Sequence, residues 1–190
     1  MDRFKRREAP GCLPVAKRDL CVERFNANSA WKTFRSRDCY DEVRSALLNI
    51  SRQTCAFCAG GFAQSNETIE HFRPKAGDHA EPEAVLEWSN LFPACNQCQS
   101  AKGAKFSTHL LKPDQDDYIP ANYFVANAAD GSLEGVPGAM EVKANVTIET
   151  YKLNRPALKR ERRRAIRAIG ESPGQPVEEY RYLAELFSIE

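Results

Sequence analysis

Four cysteines have the spacing of metal-binding pairs. Cys55 and Cys58 form the first pair, and Cys95 and Cys98 form the second. Two residues between paired cysteines allow a tight turn to direct both thiolates at one ion, and a structural Zn²⁺ takes four such ligands in a tetrahedron. The spacing therefore predicts a structural zinc. Two disulfides, a redox CxxC or unconnected buried thiols are the alternatives.

A carboxylate and an imidazole lie side by side between the two cysteine pairs, as Glu70-His71. A small nuclease needs a group that takes a proton from water and an oxygen ligand that holds a divalent metal at the scissile phosphate. Histidine suits the first task near neutral pH, and a carboxylate suits the second. Neighbouring side chains of a strand point to opposite faces, so the two residues share a site only at a bend or strand end. A surface Glu-His pair near a strand end is the alternative.

Taken as a set, the motifs of this region resemble the HNH endonuclease family. The set comprises the two cysteine pairs, residues 69–75 (IEHFRPK), residues 88–91 (WSNL) and Lys102-Gly103. The resemblance is greatest to the branch that supplies the nuclease partner in Septu-type and retron-linked anti-phage systems, and it covers most of the chain. It implies an α+β fold in which a ββα-metal core (the HNH or His-Me finger) is stapled by a zinc ion on four cysteines and flanked by helices.

The resemblance also assigns roles by position. His71 matches the general base that activates water, and Asn90 matches the residue that pins the loop carrying this base. Glu70 falls where the family has an acidic metal ligand. Gln99 occupies a position that is usually His or Asn, so it departs from the family pattern. Glu70 and Gln99 together imply a catalytic Mg²⁺ or Mn²⁺, since both supply oxygen ligands.

Three basic residues near the motifs are candidate phosphate ligands. Lys102 follows Cys98 by one helical turn, so it could reach the substrate phosphate and stabilise the charge of the transition state. Arg73 and Lys75 flank His71 and could act similarly. Ordinary solvated charge is the alternative for all three. The other histidines, His79 and His109, are expected at the surface.

The remaining chain predicts flanking elements around one domain. We expect an N-terminal basic arm over residues 1–35, extended over residues 1–20, then a zinc-stapled HNH core over 36–106 and a peripheral hairpin with C-terminal helices packed on the core over 107–190. The individual elements are predicted as follows: a helix over 38–50, the second core strand over 85–88, a helix over 96–104, a hairpin pairing 123–125 with 140–146, a basic helix from Arg155, and an acidic helix over 177–188.

Composition restricts the class of protein only coarsely. The 190 residues are 42% hydrophobic and 28% charged, with a net charge of +1, so overall charge does not argue for nucleic-acid binding. The sequence has no run of 18 apolar residues and no secretory pattern, which predicts a cytoplasmic protein that does not span a membrane. Cys12, Cys21 and Cys39 show no metal-binding spacing and are expected to be buried or idle thiols, with a second metal site as the alternative.

Two functions of different classes follow from these residues. The first is a metal-dependent endonuclease that hydrolyses phosphodiester bonds, with zinc in its scaffold. The resemblance implies that it is the effector of an anti-phage complex and acts with an ABC-type or SMC-like ATPase on a nucleic-acid substrate. The second is a zinc-stabilised nucleic-acid-binding or partner-binding module whose chemistry has decayed, which Gln99 favours.

Overall fold

The computed structural model describes residues 4–20, 26–62 and 66–171. Within these ranges the chain is an α+β protein with six α-helices and two small antiparallel sheets. It divides into two compact units, one built mainly from residues 5–106 and the other mainly from residues 107–171. The acidic helix predicted over 177–188 lies outside the described residues.

Three helices precede the first sheet. They are α1 (Leu13–Leu20), α2 (Ala27–Phe34) and α3 (Asp38–Ile50). The prediction of α3 is confirmed, whereas the prediction of an extended segment up to residue 20 is wrong. Leu13, Ala16 and Leu20 are buried at a helical spacing, and this apolar stripe forms α1 beyond Pro10 and Gly11.

A disulfide links Cys12 to Cys39, the second residue of α3. The sequence predicted buried or idle thiols at both positions; Cys39 is buried, but the two sulfur atoms form a disulfide, so the prediction of thiols is wrong. The two cysteines are 27 residues apart, and their pairing depends on how the helical segments pack, which spacing does not reveal. Cys21 lies outside the described residues.

The first sheet consists of β1 (Glu67–His71) and β2 (Leu91–Cys95), and α4 (Asn96–Lys102) follows β2 directly. The strands are antiparallel, with Glu67 opposite Cys95 and His71 opposite Leu91. The second strand was predicted over 85–88, which is wrong: Pro82–Ala84 and Trp88–Asn90 are 3₁₀ turns. A proline argues against a strand because it lacks an N–H donor, yet Pro93 lies within β2 and its carbonyl accepts a hydrogen bond from Ala56.

The second unit contains a hairpin and two helices. Strands β3 (Phe124–Ala126) and β4 (Leu133–Gly135) pair antiparallel, followed by α5 (Glu141–Tyr151) and α6 (Pro156–Glu171). A hairpin beginning at β3 was predicted, but its predicted partner, residues 140–146, lies mostly in α5. The chain turns back earlier, at Gly131, which has a φ of +75°.

The basic helix predicted from Arg155 is confirmed as α6. Its arginines divide into two groups. Arg162 is buried and donates hydrogen bonds to the carbonyls of Gly131 and Leu153. Arg160, Arg163, Arg164 and Arg167 are exposed. None of the described helices has the length and apolar character needed to cross a membrane.

Candidate active site

A pocket of about 390 Å³ lies beside the first sheet. Its walls come from α2 and α3, from β1 and the loop after it, and from α4 and the turn that ends it. The lining residues are Asn28, Trp31, Arg35, Tyr40, Thr68, Glu70, His71, Pro74, Lys75, Ala76, Gln99, Gly103 and Ala104. Glu70 and His71 share this pocket because His71 is the last residue of β1, where the chain bends.

His71 is buried and held on two sides. Its Nε2 lies 2.9 Å from the carbonyl oxygen of Val85. A carbonyl only accepts, so Nε2 carries the proton of the neutral ring and Nδ1 keeps the lone pair. The ring of Trp31 meets the imidazole edge to face, with centroids 4.4 Å apart. Burial, together with the positive charge of Lys75, lowers the pKa of His71 to about 3, which keeps the imidazole neutral near pH 7.

Asn90 binds two backbone segments, the one that carries His71 and the one that contacts its ring. Its Oδ1 accepts from the backbone N–H of Arg73 at 2.6 Å, and its Nδ2 donates to the carbonyl of the same residue at 3.2 Å. Nδ2 also donates to the carbonyl of Ala84 at 2.9 Å. Arg73 follows His71 by two residues, and Ala84 precedes the Val85 carbonyl that binds the imidazole. The Asn90 amide therefore fixes both the chain that carries the ring and the chain that holds it.

Glu70 is paired inside the protein with Lys102. The Nζ atom of Lys102 lies 2.7 Å from Oε1 of Glu70, and the Lys102 side chain is 0% exposed. Burial raises the pKa of the Glu70 carboxyl, while the Lys102 ammonium opposes that shift. The sequence predicted that Lys102 reaches a substrate phosphate. Its burial places it behind the pocket instead, because the turn of helix that carries it packs against β1.

Gln99 reaches the same pocket from α4. Its Nε2 donates to the carbonyl of Ile69 at 2.9 Å, and its Oε1 accepts from the hydroxyl of Thr68 at 3.3 Å. The pocket thus offers one carboxylate and one amide oxygen as hard ligands. Such a set fits Mg²⁺ or Mn²⁺, which commonly keep several waters and use one or two carboxylates.

The two basic residues after His71 differ in their surroundings. Arg73 forms an ion pair with Glu81 at 2.8 Å, and its guanidinium lies 4.0 Å from the ring centroid of Phe106. Lys75 instead lines the pocket, with Nζ 5.6 Å from the ring centroid of Trp31. Burial lowers the pKa of Lys75 below its ordinary value. Lys75 is therefore the better placed of the two to meet a ligand in the pocket.

The four cysteines of the two CxxC pairs come together. Cys55, Cys58, Cys95 and Cys98 are buried, and their sulfur atoms all lie within 4.8 Å of one another. Tetrahedral zinc with Zn–S bonds of about 2.3 Å places its sulfurs about 3.8 Å apart. This cluster could therefore bind a metal such as zinc, and Cys95 and Cys98 would tie the metal to the end of β2 and the start of α4.

Several pocket residues could not be found from the sequence. Asn28, Trp31 and Arg35 line the pocket from α2 and its C-terminal end, roughly 35–45 residues before His71 along the chain. Tyr40 joins them from α3. No spacing rule connects residues so distant, because their approach depends on helix packing.

Comparison with known proteins agrees with the motifs. The chain is 28% identical over 160 residues to the Septu protein PtuB of Bacillus thuringiensis, which covers 81% of this chain and 55% of that protein. It is 25% identical over 133 residues to the "Retron Vc95 putative HNH endonuclease" of Vibrio cholerae serotype O1 biovar El Tor, which covers 67% of this chain and 64% of that protein. These relatives confirm the resemblance inferred from the sequence. No family model matches the chain.

Both relatives extend well beyond the aligned region. The alignments span 55% and 64% of their lengths, so this chain corresponds to between half and two thirds of each. The aligned part is nevertheless long enough, at 81% and 67% of this chain, to include more than the cysteine pairs and the residues between them.

Proposed function

We propose that this protein is a metal-dependent HNH endonuclease that hydrolyses phosphodiester bonds of nucleic acid. Its core would be a ββα-metal unit made of β1, β2 and α4, with the four cysteines binding a structural zinc. The observation that carries this proposal is the setting of His71. A neutral imidazole, oriented by a backbone carbonyl, shares a pocket with a carboxylate and an amide oxygen.

The residues of the pocket have separate roles in hydrolysis. Nδ1 of His71 takes a proton from the water that attacks phosphorus. Val85 accepts the Nε2 hydrogen and so keeps the lone pair on Nδ1, while Asn90 holds the backbone on both sides. Lys102 is a positioning residue, since it contacts the Glu70 carboxylate and the His71 carbonyl. The bond from phosphorus to the 3′ oxygen breaks as the new bond from water forms.

Glu70 and Gln99 are the residues that would hold the divalent metal. When bound, Mg²⁺ or Mn²⁺ supplies positive charge that stabilises the phosphate oxygens and the leaving oxygen. Gln99 already accepts a hydrogen bond from Thr68 through the oxygen assigned to this role. A carbonyl oxygen has two lone pairs, so one of them stays available.

The relatives extend the proposal to a biological setting. One is named as a Septu protein and the other as a retron HNH endonuclease. We propose that this chain is likewise the effector nuclease of an anti-phage complex in the cytoplasm and that it acts with an ABC-type or SMC-like ATPase.

A second candidate function is a zinc-stabilised binding module without chemistry. The contacts of Glu70 and Gln99 favour it, because Lys102 binds one carboxylate oxygen and Thr68 binds the amide oxygen. Such a module would bind nucleic acid or a partner equally well with or without a divalent metal.

The test is a cleavage assay on plasmid, single-stranded DNA and bulk RNA with Mg²⁺, Mn²⁺ or no added divalent metal. Wild type is compared with His71→Ala and with His79→Ala, which removes an exposed imidazole. The nuclease proposal predicts metal-dependent cutting that is lost only in His71→Ala. Cutting by His71→Ala at the wild-type rate would disprove the assignment of the base. If wild type cuts nothing, even with its ATPase partner added, the binding module is the correct function.

A further inference from the structure

Two cations enter the pocket from separate elements. Arg35 lies at the C-terminal end of α2, and Lys75 lies in the loop after β1. Neither forms an ion pair with an Asp or Glu side chain of the described residues. Two positive charges therefore face one pocket without a carboxylate within ion-pair distance among the described residues, although Glu70 attracts Lys75.

Aromatic rings hold both cations in place. Nζ of Lys75 lies 5.6 Å from the ring centroid of Trp31, and the guanidinium carbon of Arg35 lies 5.8 Å from that of Tyr40. A cation over an aromatic face is attracted by the ring but keeps its full charge. Trp31 also contacts His71, at 4.4 Å between centroids. The same ring thus places Lys75 beside the imidazole.

The other charges of the pocket offset these cations only in part. Glu70 is the only carboxylate among the lining residues; it attracts Lys75, but its Oε1 is also bound by the buried Lys102 at 2.7 Å. The pocket as a whole is positive and has room for an anion beside the imidazole.

We infer that Arg35 and Lys75 form a binding site for the phosphates of the substrate strand. The inference rests on the proposed nuclease function and names how that site holds its substrate. Lys75 contacts the phosphate beside His71, and Arg35 contacts a neighbouring phosphate of the same strand. Contacts of this kind position the strand and read no base sequence.

The direct test measures binding of a fluorescent oligonucleotide, single- or double-stranded, by anisotropy at increasing KCl. All proteins carry His71→Ala, so that nothing is cut, and no divalent metal is added. Arg35→Gln and Lys75→Gln are each expected to weaken binding about tenfold, the usual size of one charge-assisted hydrogen bond. The association constant K falls as KCl increases. Each variant should make the slope of log K against log [KCl] less steep by about 0.7 to 0.9.

Matched variants show whether weaker binding comes from the lost charge or from a folding defect. Lys32→Gln removes an exposed cation of α2 that does not line the pocket, and it should leave the slope unchanged. Arg35→Lys and Lys75→Arg keep the charge and should retain most of the binding. In proteins with His71 intact, Arg35→Gln should raise KM and leave kcat nearly unchanged, as expected for loss of uniform binding.

Each outcome distinguishes this inference from the nuclease proposal. An unchanged salt slope in the Arg35→Gln/Lys75→Gln double variant would overturn the phosphate site, even if wild type cuts nucleic acid. The absence of any nucleic-acid binding by the His71→Ala protein would also overturn it. A reduced slope in a protein that never cuts would retain the phosphate site and reject the nuclease.

Discussion

Lys102 donates hydrogen bonds to Oε1 of Glu70 and to the backbone carbonyl of His71, each at 2.7 Å. One buried ammonium therefore holds the carboxylate and the backbone of the histidine next to it. The charge of Glu70 is stabilised from inside the protein, and the same carboxylate lines the pocket.

Removal of the Lys102 ammonium should destabilise the fold strongly. Lys102→Met leaves the Glu70 carboxylate buried without its partner, which costs about 3–5 kcal/mol when a buried pair is broken on one side. Chemical denaturation should show this loss in the free energy of unfolding. Lys105→Met is the matched control, since Lys105 is exposed and its side chain donates to the carbonyl of Ala101; it should change stability by less than about 0.5 kcal/mol.

The double variant Glu70→Gln/Lys102→Met should recover part of that stability. It removes both charges, so no uncompensated carboxylate remains in the interior. Purely additive losses in the double-mutant cycle would show that the two side chains do not interact.

Asn90→Ala should reduce both stability and cleavage. The substitution removes three hydrogen bonds to the backbone of Arg73 and Ala84. At about 1 kcal/mol for each bond, the expected loss is about 3 kcal/mol. The cleavage rate should fall by more than the loss of folded protein explains, because the segment that carries His71 and the segment that contacts its ring are both released. Asn122→Ala, at an exposed position, is the control. Wild-type activity in folded Asn90→Ala would reject the positioning role.

The sequence revealed those site residues whose partners are close along the chain. The CxxC spacing predicted the thiol cluster, and Glu70 and His71 were expected to share a site only at a bend or strand end, which is where His71 lies. Glu70 was not predicted as the partner of Lys102 because it lies 32 residues away, and local spacing does not determine how its strand packs against the helix. Trp31 and Arg35 were missed for the same reason, since the packing of α2 brings them to His71.

Predictions of secondary structure were likewise correct where they depended on local sequence pattern alone. The stripe of apolar residues predicted α3 correctly, because helix periodicity is local. Strand β2 was placed too early, since Pro93 lacks the donor that a strand residue normally supplies. Its pairing with β1 is a tertiary property: Pro93 lies opposite Ile69, and all five residues of β2 are buried.

Loss of one cysteine ligand should release the proposed zinc. Purified wild type should contain about one zinc per chain by elemental analysis, as a closed four-thiolate site binds one ion. Cys98→Ser should contain little zinc and unfold at lower denaturant concentration, because the remaining thiolates lose their common ion. Cys12→Ser should keep its zinc, since Cys12 pairs with Cys39. Full zinc content in Cys98→Ser would contradict the site.

His71 should make the protein sensitive to acid. Burial and the charge of Lys75 lower the pKa of His71 to about 3, from 6.5 in the unfolded chain. Below pH 6.5 the unfolded chain therefore binds a proton that the folded protein excludes. The stabilising contribution is complete above pH 6.5 and is lost as the pH falls toward 3, at up to about 1.4 kcal/mol per pH unit.

The comparison that isolates this effect is His71→Gln against wild type, with the free energy of unfolding measured from pH 7 to pH 4. His71→Gln should lose less stability over this range, because it has no imidazole to protonate. Glu70, whose pKa is raised by burial, gains protons in the folded state and acts in the opposite direction in both proteins, so its effect cancels in the difference. His79→Gln removes an exposed histidine and should follow wild type. Parallel curves for wild type and His71→Gln would mean that the imidazole of His71 titrates normally, and the neutral base assigned to it would then require another explanation.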